Sequence, residues 1–298
     1  MNHKAGYVSI VGYPNVGKST LMNALLGDKL SIISSKPQTT RHRILGIYND
    51  ENYQIVFSDS PGIISDTAYA MQDAMNVFAY HSLEDADLTI LLTDPFDQYT
   101  ESDPLVKKLK SLSCPVFLII NKMDLKSLNE LETLKIHWEK LHTFDKIFFV
   151  SALHRLGLDH LMEQIKEVIP THPPYYPKDQ LSDKNLRFFV SEIIREKIFG
   201  LYKQEIPYSC EVVVDEFLEK EEKQLHITHI YVSIYVERSS QKPILIGNQG
   251  KAIKKLGIES RKDIEQFLGE SIYLDLKVKV KEDWRDNDRL LKHFGYKP

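Results

Sequence analysis

Residues 12–19 read GYPNVGKS and fit the pattern GxxxxGK[ST], which limits the possible folds of the chain more than any other segment. A short apolar run, Tyr7–Val11, precedes the motif, and a helix-forming segment, Lys18–Leu26, follows it. A strand, a glycine loop and a helix in this order predict a loop whose backbone N–H groups surround a phosphate. We expect Lys18 to bind the β- and γ-phosphates and Ser19 to bind Mg²⁺.

Short apolar runs alternate with longer mixed segments through the first part of the chain, which is the rhythm of βαβ units. Leu88–Thr93 and Pro115–Ile120 are apolar on both faces, as expected of parallel strands covered by helices on each side. Further runs are Gln54–Ser58, Lys146–Val150 and Leu158–Ile169. The sequence predicts an α/β P-loop domain with a mostly parallel sheet and helices on both faces.

Four prolines lie within residues 170–177, and this density excludes a helix and favours an extended, semi-rigid spacer. The chain has 298 residues, about twice the usual length of one domain, so two domains are expected. We predict a first domain over residues 1–172, a linker over 173–184 and a second domain over 185–298. A proline-rich ligand for another protein is the alternative interpretation of this segment.

The part of the chain after the linker predicts a small α+β domain. The expected elements are a helix at about Asn185–Leu201, strands at Ser209–Phe217 and His226–Val236, a glycine turn, a helix at Lys251–Leu268 and a strand at Ile272–Lys281.

Charge and cysteine content limit the partners and the compartment. The net charge is −4, yet residues 242–298 hold thirteen Lys and Arg against nine Asp and Glu, so an anionic partner is expected at this end. Cys114 and Cys210 belong to no CxxC or Cys/His cluster, which disfavours disulfides and zinc and favours a reducing cytosol. No apolar run reaches the roughly 18 residues of a bilayer span, and no signal peptide is expected.

The motif Asn121–Asp124, NKMD, follows a buried strand, where loops at the carboxyl ends of parallel strands bind ligands. Guanine presents N1–H and N2–H₂ side by side, and the carboxylate of Asp124 can accept from both, whereas adenine presents an acceptor there. Ser151–Leu153 follows the next strand and places the Ala152 N–H to donate to guanine O6. These loops predict a guanine site.

A sensor for Mg²⁺ and the γ-phosphate is expected where DSPG ends a strand. Asp59 would hold the metal through water, and the Gly62 N–H would contact the γ-phosphate only when it is present. The loop at residues 36–41, KPQTTR, offers Thr40, in preference to Thr39, to the same metal. The alternative is an ordinary pair of surface threonines.

Residues 246–253, IGNQGKAI, have the IGxxGxxI pattern of a KH module. Glycine at 247 and 250 lets the backbone approach a sugar-phosphate chain, while the helix N-terminus attracts phosphate and an apolar groove takes unstacked bases. Lys254 and Lys255 lie in the one basic region, which favours RNA contact. The alternatives are a simple strand-turn-helix corner and a solvated helix face.

The ordered set GYPNVGKS, PQTTR, DSPG, NKMD and SAL resembles the translation-factor class of GTPases, within the Era/Der/MnmE-type group, and the KH pattern after the linker narrows the resemblance to the Era type. With a C-terminal type II KH domain of order α-β-β-α-α-β, the resemblance covers essentially the whole chain, and Glu196–Phe199 and Gln204–Ser209 strengthen it. Ile63 stands where signalling GTPases place a catalytic glutamine. Asn15 resembles the asparagine that helps hold K⁺ beside the phosphates in several relatives.

The resemblance implies a slow GTPase switch that binds the 3′ end region of small-subunit ribosomal RNA and acts in assembly of the small ribosomal subunit. It implies GTP or GDP, Mg²⁺ and K⁺ as ligands, a cytoplasmic monomer, and the peripheral inner-membrane association of some members. In the family the tail that contains Trp284, Arg285 and Arg289 also contacts RNA. The alternative is a tail helix that packs Trp284 and Leu290 onto its own domain.

Motifs and resemblance together assign the following residues. The nucleotide-binding set is Gly12, Tyr13, Pro14, Asn15, Val16, Gly17, Lys18, Ser19, Thr20, Asp59, Gly62, Asn121, Lys122, Asp124, Ser151, Ala152 and Leu153. The metal set is Ser19, Thr40 and Asp59, and the catalytic set is Asn15, Lys18, Thr40 and Gly62. The RNA-binding set is Ile246, Gly247, Asn248, Gln249, Gly250, Lys251, Lys254, Lys255, Trp284, Arg285 and Arg289.

Two other functions fit parts of the sequence. A P-loop phosphotransferase with a small-molecule acceptor domain is one, but NKMD argues against adenine and no acceptor-binding carboxylate cluster stands out. The other is a membrane-associated GTPase adaptor whose basic end binds anionic lipid. Attraction to lipid needs positive charge but no glycine clamp, so the GNQG segment favours RNA over lipid.

Overall fold

The computed structural model describes residues 3–34, 36–64, 66–97, 99–222 and 225–297. The chain divides into two compact units. The first comprises Met1–Ala68 and Gln72–Asp183, and the second comprises Tyr69–Met71 and Lys184–Pro298.

The first unit is built on a sheet whose described strands follow the order β2-β3-β1-β4-β5-β6. The strands are β1 (Lys4–Val11), β2 (Ile44–Asn49), β3 (Tyr53–Asp59), β4 (Leu88–Thr93), β5 (Val116–Ile120) and β6 (Lys146–Phe149). The helices are α1 (Lys18–Leu26), α2 (Ala70–Glu84), α3 (Pro104–Leu109), α4 (Leu128–Leu141) and α5 (Leu158–Val168). Only the pairing of β2 with β3 is antiparallel among these neighbours.

The central strands β4 and β5 are buried at every residue, so both of their faces are covered. Parallel strands need this cover because their crossover helices lie on the two faces of the sheet. The predicted α/β domain with a mostly parallel sheet is confirmed. Its phosphate loop lies between β1 and α1, at the carboxyl end of a central strand.

The proline-rich segment is held against the first unit and does not run as a free spacer. The side-chain oxygen of Gln54 accepts from the N–H groups of Tyr175 and Tyr176 at 2.7 and 2.9 Å. Farther along, the N–H of Ile47 donates to the Leu181 carbonyl at 2.9 Å. These hydrogen bonds hold the proline-rich segment and the residues after it against β3 and β2.

The second unit contains a sheet of order β7-β8-β9, with β7 and β8 antiparallel and β8 and β9 parallel. Its elements are α6 (Leu186–Leu201), α7 (Ile206–Ser209), β7 (Cys210–Glu222), β8 (Leu225–Val236), α8 (Gln241–Ile246), α9 (Lys251–Leu268), β9 (Ile272–Val280) and α10 (Asp288–His293). The order α6-β7-β8-α8-α9-β9 confirms the type II KH arrangement. Both strands of the β7–β8 pair extend farther toward their shared connection than the sequence predicts.

Helices α6 and α9 cover one face of this second sheet through a shared apolar core. Ile194 and Ile198 of α6, Ile230 and Ile234 of β8 and Ile264 of α9 are fully buried in it. Helix α6 begins at the N-cap Asn185, whose side chain accepts from the Phe188 N–H at 3.0 Å. A polar cap directly after the extended segment therefore fixes where α6 begins.

Within the described ranges, no helix has both the length and the apolar composition that a bilayer span requires. The same residues contain no group of three or more His, Cys, Asp and Glu side chains placed to hold a metal ion. Neither Cys114 nor Cys210 is part of a disulfide.

Candidate functional site

A cavity of about 460 Å³ opens in the first unit where the phosphate loop meets the loops that follow β5 and β6. Predicted residues that line it are Pro14, Asn15, Gly17, Lys18, Ser19, Thr20, Thr40, Gly62, Asn121, Lys122, Asp124, Ser151 and Leu153. Residues that the sequence did not single out also line it, namely Ile32, Ile33, Ser34 and Leu125. The five separated motifs therefore contribute to one cavity.

The ammonium of Lys18 lies inside the turn of the phosphate loop. Its Nζ donates to the carbonyls of Gly12 and Tyr13 at 3.1 and 2.9 Å. Burial lowers the pKa of Lys18 to about 8, and the carboxylates of Asp59 and Asp97 partly oppose this shift. A phosphate placed beside the ammonium would stabilise the charged form, as the predicted role requires.

Three hard oxygen donors meet beside Lys18, as the metal prediction requires. The hydroxyl of Ser19 donates to Asp59 Oδ2 at 2.7 Å and lies 2.9 Å from the hydroxyl of Thr40. Thr39 instead donates its hydroxyl to the carbonyl of Lys36 at 2.7 Å. Hydroxyl and carboxylate oxygens are the ligands that Mg²⁺ prefers, so this donor set fits the ion.

Gly62 packs directly against the phosphate loop. A Cβ at position 62 would lie 2.7 Å from the backbone nitrogen of Pro14, which is too close for any side chain. The next residue, Ile63, is only 4 % exposed and belongs to a hydrophobic cluster. Ile64 is fixed by Asn76, whose side chain accepts from its N–H at 2.9 Å and donates to its carbonyl at 2.8 Å.

Asn121 connects the base-reading loops. Its Nδ2 donates to the carbonyl of Val16 at 2.8 Å, and its Oδ1 accepts from the N–H of Ala152 at 2.9 Å. The Ala152 N–H, for which the sequence predicts donation to guanine O6, therefore donates to Asn121 in this structure. The hydroxyl of Ser151 holds the pKa of Asp124 below its usual range, so this carboxylate is an anion and an acceptor.

Asp94 contacts the site through Lys122, and the sequence did not single it out. Lys122 donates its Nζ to Asp94 Oδ2 at 2.5 Å and to the carbonyl of Asn15 at 2.9 Å. Asp94 is buried and directly follows β4. The rule that ligands bind at the carboxyl ends of parallel strands, which located the NKMD loop, could also have pointed to Asp94. Through Lys122 it connects the base loop to the phosphate loop.

In the second unit the GNQG segment forms a tight turn between α8 and α9. Gly247 and Gly250 have φ of 72° and 74°, and Gln249 has φ of 51°. Position 247 is crowded, because a Cβ there would lie 2.9 Å from the backbone nitrogen of Ala252, whereas position 250 faces open space. Asn248, Gln249, Lys251, Lys254 and Lys255 are exposed around this turn. The predicted clamp residues thus surround the N-terminus of an 18-residue helix.

The prediction that Trp284 contacts RNA is corrected by the structure. Trp284 is fully buried, its Nε1 donates to the Ser209 carbonyl at 3.0 Å, and its ring packs against Phe294. Arg285 is also mostly covered, since it forms an ion pair with Glu237. Arg289 is exposed. The large aromatic side chain serves the core of its own unit, which was the alternative interpretation of the tail.

Two family models match the chain. The model described as 50S ribosome-binding GTPase matches residues 7–122, and the KH domain model matches residues 205–285. They match the first and second units, respectively, and contain the phosphate loop and the GNQG turn.

Relatives match over nearly the whole chain. GTPase Era of Clostridium botulinum is 43 % identical over 296 residues, which cover 99 % of this chain and 98 % of the relative. GTPase Era of Elusimicrobium minutum is 40 % identical over 295 residues, which cover 98 % of this chain and 97 % of the relative.

Two solved structures of Era proteins also match nearly the whole chain. The crystal structure of Era in complex with MgGDPNP and nucleotides 1506–1542 of 16S ribosomal RNA matches with a TM-score of 0.94 at 38 % identity, covering 99 % of this chain and 100 % of that one. A variant of Aquifex aeolicus Era bound to GDP·AlF₄⁻ matches with the same TM-score, identity and coverage. Since identity, coverage and domain order all agree, the chain belongs to the Era family of GTPases.

Proposed function

We propose that this GTPase binds GTP and Mg²⁺ in the cavity of its first unit and uses the nucleotide state to control binding of ribosomal RNA by its second unit. The convergence of Lys18, the Ser19 oxygen cluster and Asp124 on one cavity is the observation that carries the proposal. The RNA is the 3′ end region of small-subunit ribosomal RNA, and the role is in assembly of the small subunit. The Era relative crystallised with MgGDPNP and a 16S fragment supports this choice.

The roles within the cavity follow from the chemistry of the groups. Lys18 binds the β- and γ-phosphates, and the carboxylate of Asp124 accepts from guanine N1–H and N2–H₂. Ser19, Thr40 and Asp59 would hold Mg²⁺, which when bound neutralises charge on the phosphates. The N–H of Gly62 contacts the γ-phosphate. This contact is lost after water cleaves GTP to GDP and phosphate.

Hydrolysis in this protein is slow on its own, because Ile63 is buried in a hydrophobic cluster and offers no polar group to orient water. We assign Asn15 to a K⁺ ion that offsets the charge that develops during hydrolysis. Asn15 lines the cavity, and its backbone is fixed by the hydrogen bond from Lys122.

The RNA surface is centred on the GNQG turn. The N-terminus of α9 and its exposed lysines attract phosphates, and Arg289 extends the basic surface into the tail. Trp284 is buried and is not part of this surface. Arg285 stabilises the tail through its ion pair with Glu237.

The remaining assignments are part of the same proposal. The G domain covers residues 1–172, the linker residues 173–184 and the KH domain residues 185–298. The protein acts as a cytoplasmic monomer that also associates peripherally with the inner membrane.

Cross-linking to cellular RNA tests the proposal. Purified protein loaded with a non-hydrolysable GTP analogue or with GDP is irradiated in a lysate, and the attached RNA is sequenced. We expect the 3′ end of small-subunit ribosomal RNA to be enriched in the GTP-analogue sample and depleted with GDP. Equal recovery of this RNA in both samples would contradict control of RNA binding by the nucleotide. If no RNA is cross-linked and the protein instead sediments with anionic lipid vesicles, the membrane-adaptor alternative is favoured.

A further inference from the structure

A tyrosine in the phosphate loop is bonded to a carboxylate outside it. The hydroxyl of Tyr13 donates to Asp103 Oδ2 at 2.5 Å. The other oxygen of Asp103 accepts from the N–H of Leu105 at 2.9 Å and caps α3. Because the acceptor is a charged group that is itself fixed at a helix N-terminus, the tyrosine hydroxyl has one well-defined position.

The ring of Tyr13 is fixed as firmly as its hydroxyl. It stacks on Tyr99 with ring centroids 4.9 Å apart, and Tyr99 packs on Trp138 at 4.5 Å. Tyr99 and Trp138 are each only 2 % exposed, so this support is part of the core. The same cluster contains Ile63, the residue after DSPG. One rigid cluster therefore supports both the phosphate loop and the segment that contacts the γ-phosphate.

The backbone at Tyr13 and Pro14 lies beside two groups that are proposed to act on the phosphates. Its carbonyl accepts from Lys18 Nζ at 2.9 Å. Its neighbour Pro14 has its backbone nitrogen 2.7 Å from where a Cβ of Gly62 would lie. A shift of residue 13 would consequently move both the lysine ammonium and the contact between the phosphate loop and Gly62.

We propose that Tyr13 is a positioning residue for GTP hydrolysis, held by Asp103 and Tyr99, that keeps the phosphate loop aligned with Gly62. The inference rests on the proposed use of the cavity for GTP. Gly62 meets only the γ-phosphate, which GDP lacks, and Lys18 meets the γ-phosphate in addition to the β-phosphate. The loss of alignment therefore weakens stabilisation of the transition state more than binding of GDP.

The test is Tyr13→Phe, which removes the hydroxyl and keeps the stacked ring. We expect kcat for GTP to fall about tenfold, as for loss of a hydrogen bond to a charged acceptor, while Kd for GDP stays within about twofold. Tyr48→Phe is the matched control, because Tyr48 also donates its hydroxyl to an aspartate of the same unit, Asp50, at 3.2 Å, and does not line the cavity. It should leave kcat unchanged.

A second variant tests the pair. Asp103→Ser keeps a favoured N-cap residue for α3 and removes the acceptor of the Tyr13 hydroxyl. It should lower kcat as much as Tyr13→Phe, and the double variant should lower it no further, because both changes remove one interaction.

Wild-type kcat in Tyr13→Phe would overturn the inference. A parallel loss of kcat, GDP affinity and melting temperature would also overturn it, since that pattern is a structural defect. Failure of the proposed function is distinct: it would show as GTP binding by Lys18→Ala at the wild-type level.

Discussion

Asn121 donates a hydrogen bond to the carbonyl of Val16 at 2.8 Å and so joins the loop that reads the base to the loop that holds the phosphates. The approach is so close that a Cβ at Gly17 would lie 2.4 Å from Asn121 Nδ2, and Gly17 has φ of 100°. Glycine is needed at 17 for both reasons. The base and phosphate halves of the cavity are consequently one rigid unit.

Replacing Asn121 with Ala should weaken that connection. Asn121 is 3 % exposed, and its loss leaves the Val16 carbonyl and the Ala152 N–H without their partner. We expect the free energy of unfolding to fall by about 1–3 kcal/mol and GDP to dissociate at least about tenfold faster. Asn129→Ala, at an exposed position on α4, is the control and should change neither chemical denaturation nor stopped-flow release. An unchanged dissociation rate in Asn121→Ala would contradict the coupling.

Asp124→Asn should change the base preference from guanine to xanthine. The carboxylate accepts two N–H donors of guanine, whereas an amide also donates, which suits the carbonyl that xanthine carries at C2. Competition between GTP and XTP for a fluorescent nucleotide measures the ratio. Asp159→Asn, in the first turn of α5, should keep the wild-type preference for GTP. If Asp124→Asn also keeps it, another residue reads the base.

The positions of GYPNVGKS, DSPG, NKMD and SAL could be predicted because each stands at the end of a recognisable strand. Strand β4 and helices α1 and α9 begin and end where the sequence places them. The rule that ligands bind at the carboxyl ends of parallel strands then brings the loops to one edge of the sheet.

What the sequence could not supply are the partners that only the tertiary fold brings together. Strand β2 was missed because it is an antiparallel edge strand outside the βαβ rhythm. The Tyr13–Asp103 bond spans 90 positions along the chain and carries no local pattern. The sequence left the burial of Trp284 open, because an aromatic residue among charged neighbours fits a solvent-exposed tail and a core anchor equally well.

Nucleotide affinity should depend on pH through Lys18. Burial lowers its pKa to about 8, and bound phosphates would raise it, so binding takes up a proton when the solution is above that value. We expect titration of Lys18 to leave GDP affinity independent of pH below about pH 8, and to lower it by up to about tenfold per pH unit above that value. Calorimetry at pH 9 in buffers of different ionisation enthalpy should detect the uptake. Proton release in those buffers would contradict the assignment.

The cation prediction concerns Asn15. Hydrolysis should be faster in K⁺ than in Na⁺ at matched ionic strength, since a cation beside the phosphates offsets developing charge. Asn15→Ala should remove the difference between the two salts while GDP affinity changes little. Equal turnover of the wild-type protein in both salts would discard the cation and leave the GTPase activity unaffected.

The RNA prediction uses the open space at Gly250. Gly250→Asp brings a negative charge to the turn without a clash, because no heavy atom lies within 4 Å of the added Cβ. Gly250→Asn has the same shape, tolerates positive φ and is neutral. Gly269, at the other end of α9, has the same φ of 74° and the same open space, so Gly269→Asp is the matched control for charge and strain.

Fluorescence anisotropy with a labelled 3′ fragment of small-subunit ribosomal RNA measures whether the GNQG turn binds this RNA and whether the nucleotide controls that binding. Wild type, Gly250→Asp, Gly250→Asn and Gly269→Asp are each titrated in the GTP-analogue and GDP states, with melting temperatures measured alongside. We predict tight binding by wild type and Gly269→Asp in the GTP-analogue state only, and a loss of about 1–3 kcal/mol in Gly250→Asp that exceeds the loss in Gly250→Asn. Wild-type affinity in a folded Gly250→Asp protein would contradict RNA binding at the turn, and equal affinity of the wild type in both nucleotide states would contradict control by the nucleotide.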